Sequence, residues 1–217
     1  HDLRGPLANL AILLESIETC SAASTGTRIA ERARKGQDII ASLDGLLRAV
    51  LQRTRDTGDP LDFRPRDVEI DRVVDEAVAL SEPLADKRAV RISASSDCGY
   101  VVRGDHRLLV QALDNLLGNA VKYAPPNSVV TLAVTRESGS VVIRIWDEGR
   151  GIPESDLQRA FRPFNALAKR SRAGRASFGL GLWIVRLILE RHGGSVSAQA
   201  RAPGHGTVFK LSLPIAA

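Results

Sequence analysis

The sequence predicts an α+β protein. An N-terminal antiparallel helical hairpin, half of a dimeric four-helix bundle, precedes an α/β sandwich in which one mixed sheet carries helices on one face. Three observations predict it. Apolar residues recur at alternating spacings of four and three through two stretches of residues 1–60. A strongly apolar helical segment in mid-chain carries one polar stripe, Gln111, Asn115, Asn119 and Lys122. On either side of that helix lie β-rich runs separated by turn residues, with one further helical stretch near the end.

The size and composition permit this architecture. A chain of 217 residues, 44% hydrophobic and 25% charged, can bury one substantial core or two small ones. A net charge of +5 allows an anionic ligand. Aromatic residues at only 4% offer no platform for stacking bases, so nucleic acid is not an expected partner. Cys20 and Cys98 are far apart and in no ligand-like spacing, which speaks against a disulfide framework or zinc site and fits a reducing compartment. No apolar run approaches the length of a membrane span and no signal peptide is visible, so a cytoplasmic module is expected. The sequence lacks methionine and opens inside a helical pattern. A fragment is therefore expected, with any membrane attachment confined to a missing upstream part.

In the hairpin, Leu3, Leu7, Leu10, Leu14 and Ile17 form one seam, and Ile29, Ala33, Gly36, Ile40, Leu43, Leu47 and Val50 form the other. Ser21 to Thr27 is the turn between them. Two helices alone bury little, so a second copy is expected to complete the bundle as a homodimer, the alternative being packing against the rest of the same chain. Asp56 to Pro60, with Gly58, ends the hairpin, and the boundary falls near residues 57–65. This divides the chain into domains 1–60 and 64–217. His1 points away from its seam and is followed by Asp2. An exposed terminal His is either inert or a nucleophile towards phosphorus, with a neighbouring carboxylate accepting the other ring proton.

In the second domain, Val68 to Leu80 reads as a helix. Val90 to Ser95 and Tyr100 to Val102 read as strands around an Asp97–Gly99 turn. The Asn-bearing helix follows, capped by Asp105 and stopped by Pro125-Pro126. Val129 to Thr135 and Val141 to Trp146 form a hairpin across Glu137-Ser138-Gly139. Leu180 to Arg191 is a helix stopped by Gly193-Gly194, and Val196 to Ala200 and Val208 to Leu213 are closing strands. Neither a dinucleotide-binding glycine turn nor a G-x-x-x-x-G-K phosphate loop is present.

Four features of this domain carry chemistry. Asn is a mediocre helix former and costly to bury unpaired, so the Asn115–Asn119–Lys122 stripe is either solvated or faces something polar. Asp147-Glu148-Gly149-Arg150-Gly151-Ile152 follows a strand. It is either a surface turn or a site where the carboxylate accepts from an exocyclic amine and the glycines let backbone approach a flat ligand. Arg159, Arg162, Lys169, Arg170, Arg172 and Arg175 form a basic stretch, with no acid between Leu157 and Phe178. Such a stretch is either a solvated loop or one that closes over phosphates. Gly179-Leu180-Gly181-Leu182 opens a helix, whose unpaired amides suit a phosphate.

Together these residues resemble the catalytic core of two-component sensor histidine kinases. His1-Asp2-Leu3-Arg4 and the residues to Leu7 match the H-box, and Asn115 to Tyr123 the N-box. Asp147 to Ile152 matches the first glycine box, Phe161-Arg162-Pro163-Phe164 the F-box, and Gly179 to Leu182 the second glycine box. Gly204 to Thr207 resembles the last glycine element. The boxes occur in the family's order and span nearly the whole chain.

The resemblance implies a dimerisation and phosphotransfer hairpin, then an ATP-binding domain of the type shared with gyrases and chaperone ATPases. It implies ATP and Mg2+ as cofactors, His1 as phosphoacceptor and Asp2 as its base. Asn119 would hold the metal, with Asn115 beside it. Lys122 and Tyr123 would meet phosphates and ribose. Asp147 would take the adenine amine in a pocket shaped by Gly149, Gly151 and Ile152, and Gly179, Leu180, Gly181 and Leu182 would lie at the phosphate end. The implied partner is an Asp on a response-regulator receiver domain. Three positions depart from the family pattern. Gly5 stands where many relatives carry Thr or Asn, which argues against phosphatase activity by that route. Ser177 replaces a Gly, and Pro163 a frequent Arg. An alternative is a phosphotransfer or scaffold module whose nucleotide domain is weakly active.

Overall fold

The computed structural model describes residues 63–97, 99–157, 159–162, 181–201 and 206–216. The expected hairpin over residues 1–60, with His1 and Asp2, lies outside the described residues, as do Gly179, Leu180 and most of the basic stretch. Leu61–Leu167 and Gly179–Ala217 belong to one compact unit.

In chain order this unit contains β1 (Arg66–Glu69), α1 (Ile70–Lys87), β2 (Arg91–Ser96), β3 (Val101–Gly104), α2 (His106–Tyr123), β4 (Val129–Glu137) and β5 (Ser140–Trp146). A single turn, α3 (Glu154–Leu157), then precedes α4 (Gly181–Arg191), β6 (Ser195–Ala200) and β7 (Thr207–Pro214). The main sheet has the order β2-β4-β5-β7-β6. Only the β2–β4 pair is parallel, so the sheet is mixed, as expected. Strand alternation turns Val130, Leu132 and Val134 of β4 and Val141, Ile143 and Ile145 of β5 inward. They share one core with Leu113, Leu116 and Leu117 of α2 and Val185, Ile188 and Leu189 of α4. The β4–β5 hairpin turns at Ser138 and Gly139, both at positive φ (45° and 81°), the two-residue geometry that matches strand twist.

Two expectations need correction. Val68 is not helical. It lies in β1, opposite Val102 of β3, and is buried at 4% exposure. A four-residue strand with one buried residue has too little alternation to be told from the apolar start of a helix. At the other end α1 runs past Leu80 through Pro83 to Lys87. Pro83 and Ala79 are both exposed, so the carbonyl that loses its helical partner faces water. The strands flanking Asp97–Gly99 also do not pair with each other. β2 joins β4, and β3 joins β1 in a separate two-stranded sheet.

Asp71, in the first turn of α1, secures that connection. It accepts from Ser96 Oγ at 2.6 Å and from the Gly99 amide at 2.9 Å. These bonds, the Gly99 amide first, hold its carboxyl below the usual carboxylate range. A depressed pKa contributes stability above the ordinary carboxylate value and loses it as pH falls through the folded value. Asp71→Ala should therefore lower the melting temperature at neutral pH, and the deficit should vanish in acid. Thermal denaturation across that range checks it.

Candidate functional site

The site begins on α2. Asp105 caps the helix, its Oδ1 accepting from the Leu108 amide at 3.2 Å, and the helix ends at Tyr123 just before Pro125. Leu109, Leu113, Leu116, Leu117 and Ala120 are buried, whereas Asn115, Asn119 and Lys122 are half-buried and Gln111 is exposed. The polar stripe is therefore partly sheltered, with its Gln111 end in solvent. Asn115 donates through Nδ2 to the Gln111 carbonyl at 2.9 Å, which leaves its Oδ1 as the uncommitted end of the amide.

That oxygen faces the start of α4. A Cβ on Gly181 would lie 3.0 Å from Asn115 Oδ1 and 4.0 Å from Asn119 Nδ2. Glycine thus lets the N-terminal end of α4, with its unpaired amides and partial positive charge, sit directly on the two asparagines.

The other side of the site is the loop after β5. The Asp147 amide donates to the Thr207 carbonyl at 3.2 Å, continuing the β5–β7 ladder one step beyond Trp146. The Asp147 side chain is 3% exposed and accepts from the Gly149 amide through Oδ1 at 2.7 Å. Burial pushes its carboxyl above the usual carboxylate range. Hydrogen bonds from the Gly149, Thr207 and Asp147 backbones and the charge of Arg201 oppose that rise. A buried carboxylate oriented by backbone amides is a specific acceptor for a ligand donor.

The glycines of this loop also answer to a steric demand within the protein. A Cβ on Gly149 would lie 2.4 Å from the Tyr123 carbonyl oxygen and 2.7 Å from Asp147 Oδ1. On Gly151, at φ +70°, it would lie 2.9 Å from the Gly206 carbonyl oxygen. Both face the protein's own backbone. They let the loop close onto the end of α2 and onto Gly206, next to the start of β7. Ile152 donates its amide to Thr207 Oγ1 at 3.2 Å and packs against the core.

The two sides meet at Tyr123. Lys122 Nζ lies 5.4 Å, and the Arg150 guanidinium carbon 5.6 Å, from the centroid of its ring. Asn115, Asn119 and Gly181 are thereby gathered on one part of α2, and Tyr123, Lys122 and the Asp147–Ile152 loop on its end. Leu182 packs against the core behind them. Reasoning from sequence did not assign Arg150, Gly206 or Thr207 to the site. The Gly-His-Gly-Thr at 204–207 was the available signal for the last two.

Among the described residues no group of three or more His, Cys, Asp and Glu could hold a metal. The oxygen donor that the site offers is an amide, Asn115 Oδ1, with Asn119 next to it. Such a set fits a hard cation held mainly by ligand phosphates and water, as Mg2+ is, and not an all-protein cage.

The family described as histidine kinase-, DNA gyrase B-, and HSP90-like ATPase matches residues 104–217, which contain this whole arrangement. The chain is 32% identical over 219 residues to the sensor-like histidine kinase SenX3 of Mycolicibacterium smegmatis, covering 99% of this chain and 55% of that protein. It spans about half the length of the curated relatives it matches first. Among solved structures, the mycobacterial sensor histidine kinase MprB superposes with a TM-score of 0.60 at 28% identity, over 70% of this chain and 98% of that one. The histidine kinase ThkA, solved in complex with response regulator protein TrrA, has the same fold, with a TM-score of 0.71 at 19% identity over 100% of this chain and 59% of that one. Among the described residues no helix is long and apolar enough to cross a membrane.

Proposed function

From the chain's membership of the histidine kinase-, DNA gyrase B- and HSP90-like ATPase family, among the sensor histidine kinases, we propose that it is an ATP-dependent protein-histidine kinase acting in two-component signalling. The observation that carries this reading is the gathering of the Asn115–Asn119 stripe, the buried Asp147 and the N-terminal end of α4 along one helix. An acceptor for an adenine amine stands at one end of this arrangement and phosphate-suited amides at the other.

Asp147 Oδ2 accepts from the adenine amine while Gly149 holds Oδ1. Gly149, Gly151 and Ile152 shape that pocket. Lys122 and Tyr123 meet phosphate and ribose. Gly179, Leu180, Gly181 and Leu182 present the helix N-terminus to the phosphates. Asn119, with Asn115, would hold Mg2+, which when bound neutralises charge on the phosphates. His1 attacks the γ-phosphorus with a ring nitrogen as the bond to the bridging oxygen breaks and ADP leaves, and Asp2 takes the ring proton. The N–P bond then breaks as an Asp carboxylate of a receiver domain attacks, regenerating His1. Residues 1–60 form the homodimeric phosphotransfer hairpin and 64–217 the catalytic domain of a cytoplasmic module. Gly5 offers no side chain to orient water, so little phosphatase activity is expected. ThkA, of the same fold, was solved with a response regulator, which supports a partner of that class.

The test is incubation with γ-labelled ATP and Mg2+. Label should be stable to base and labile to acid, absent in His1→Ala, and reduced about a hundredfold in Asn119→Asp, which sets a like charge against the phosphates. Measurable ATP binding without label would sink autokinase activity and favour a nucleotide-binding phosphotransfer module.

A further inference from the structure

Behind the candidate site is a buried polar knot that the reading above does not use. His192, one residue past α4, is 5% exposed. Its Nε2 accepts from the Asp105 amide at 2.9 Å, and its Nδ1 is 2.7 Å from the Ile188 carbonyl. Accepting at Nε2 places the ring proton on Nδ1, so Nδ1 donates to Ile188. Both ring nitrogens are committed, one to its own helix and one to the junction of β3 and α2. Gly104 makes room, since a Cβ there would lie 2.4 Å from His192 Cδ2. Phe63 meets the ring edge-on at a centroid distance of 4.8 Å. Asp105 Oδ2 accepts from the Arg64 amide at 3.0 Å, while Oδ1 caps α2.

The knot has a lever arm. Polar groups of α2 and its cap meet α4 and the residue after it at two places: Asn115 and Asn119 at Gly181, and Asp105 at His192. At 1.5 Å per residue, 105 to 115 and 181 to 192 each span about 15–17 Å. The two helices therefore run antiparallel and in step. Between these ends the buried residues of α4 are Val185, Ile188 and Leu189, apolar members of the core that the buried face of α2 also joins. The hydrophobic effect that drives this packing is non-directional, whereas a hydrogen bond of 2.9 Å sets one donor against one acceptor and tolerates little axial slide.

We propose that His192 is a positioning residue for the nucleotide site. Its bond to the Asp105 amide fixes the axial register of α4 on α2 and so holds the Gly181 end of α4 at Asn115 and Asn119. Phe63, edge-on against the ring, and Arg64, donating its amide to Asp105, join the same knot. The effect on ATP rests on the nucleotide reading above; the effect on register does not.

His192→Leu keeps an apolar side chain but removes the acceptor. His192→Gln keeps an acceptor at about the reach of Nε2. In the full chain without nucleotide, His192→Leu should move the amide signals of Gly181, Leu182 and the Asn115 side chain in 15N–1H NMR. It should also weaken ATP binding about tenfold, with His192→Gln recovering most of the loss. Calorimetric titration is done well below the melting point of each variant, so that lost stability is not read as lost affinity. A folded His192→Leu with unmoved Gly181 signals and unchanged ATP affinity overturns the proposal. So does equal weakening in both variants, which would make the role one of packing alone. If the unaltered chain binds no ATP, the nucleotide reading fails by itself, and the Gly181 signals of the two variants still decide the register claim.

Discussion

Asp147→Asn should weaken ATP binding about a hundredfold while raising the melting temperature of the domain at neutral pH. The two effects have one origin. Asp147 is 3% exposed, and burial holds its carboxyl above the usual range. Asparagine keeps an oxygen for the Gly149 amide but puts an NH2 group where Oδ2 stood. In the proposed complex that group faces the adenine amine, donor against donor. A hydrogen bond to a charged acceptor contributes about 1.5–3 kcal/mol, and the mismatch adds to its loss. For stability the sign is opposite. A carboxyl with a raised folded pKa binds its proton more tightly folded than unfolded. Stability therefore falls as pH rises from the ordinary carboxylate range through the raised value, and the loss persists above it. The variant carries no such loss. Its advantage in melting temperature should be absent in acid and grow through that window, which calorimetry at several pH values will show. A variant that melts lower at neutral pH would mean that the bonds to the ionised carboxylate outweigh its burial.

Gly206→Ala should cost the domain about 2–6 kcal/mol, the sum of left-handed backbone strain and overpacking. Gly206 has φ +92°, and a Cβ there would lie 1.9 Å from the Asp147 carbonyl oxygen and 2.8 Å from its carbon. Neither is the end of a flexible side chain, so relief requires moving the loop that holds Asp147. Against the roughly 5–15 kcal/mol typical of a domain, such a loss is a large part of the whole. Gly139→Ala is the control. It has φ +81° but nothing within 4 Å, so only the strain term of about 1–3 kcal/mol applies. Urea denaturation of both variants separates the terms. Equal losses would show that the approach of Gly206 to Asp147 carries no energetic weight.

Much of the domain was legible in the sequence. Asp105 as cap, Pro125 as stop and Ser138-Gly139 as hairpin turn act through neighbours within a few residues, and each does what its local chemistry dictates. The Asn stripe was legible because polar residues at helical spacing are costly on an otherwise apolar helix. The strand at Val68 was not, because its pairing partner Val102 lies far along the chain and a single buried residue sets no period.

The sequence by itself determined the kinds of element, the apolar faces and the residue types able to meet a nucleotide. Only the tertiary structure decided which backbone each glycine must clear: Gly181 against Asn115, Gly149 against the Tyr123 carbonyl and Gly206 against the Asp147 carbonyl. It alone decided that His192 would accept from the Asp105 amide, 87 residues away. Periodicity and turn chemistry are interactions along the chain and leave a local trace. A steric exclusion or a hydrogen bond between remote segments exists only once the core has brought them together.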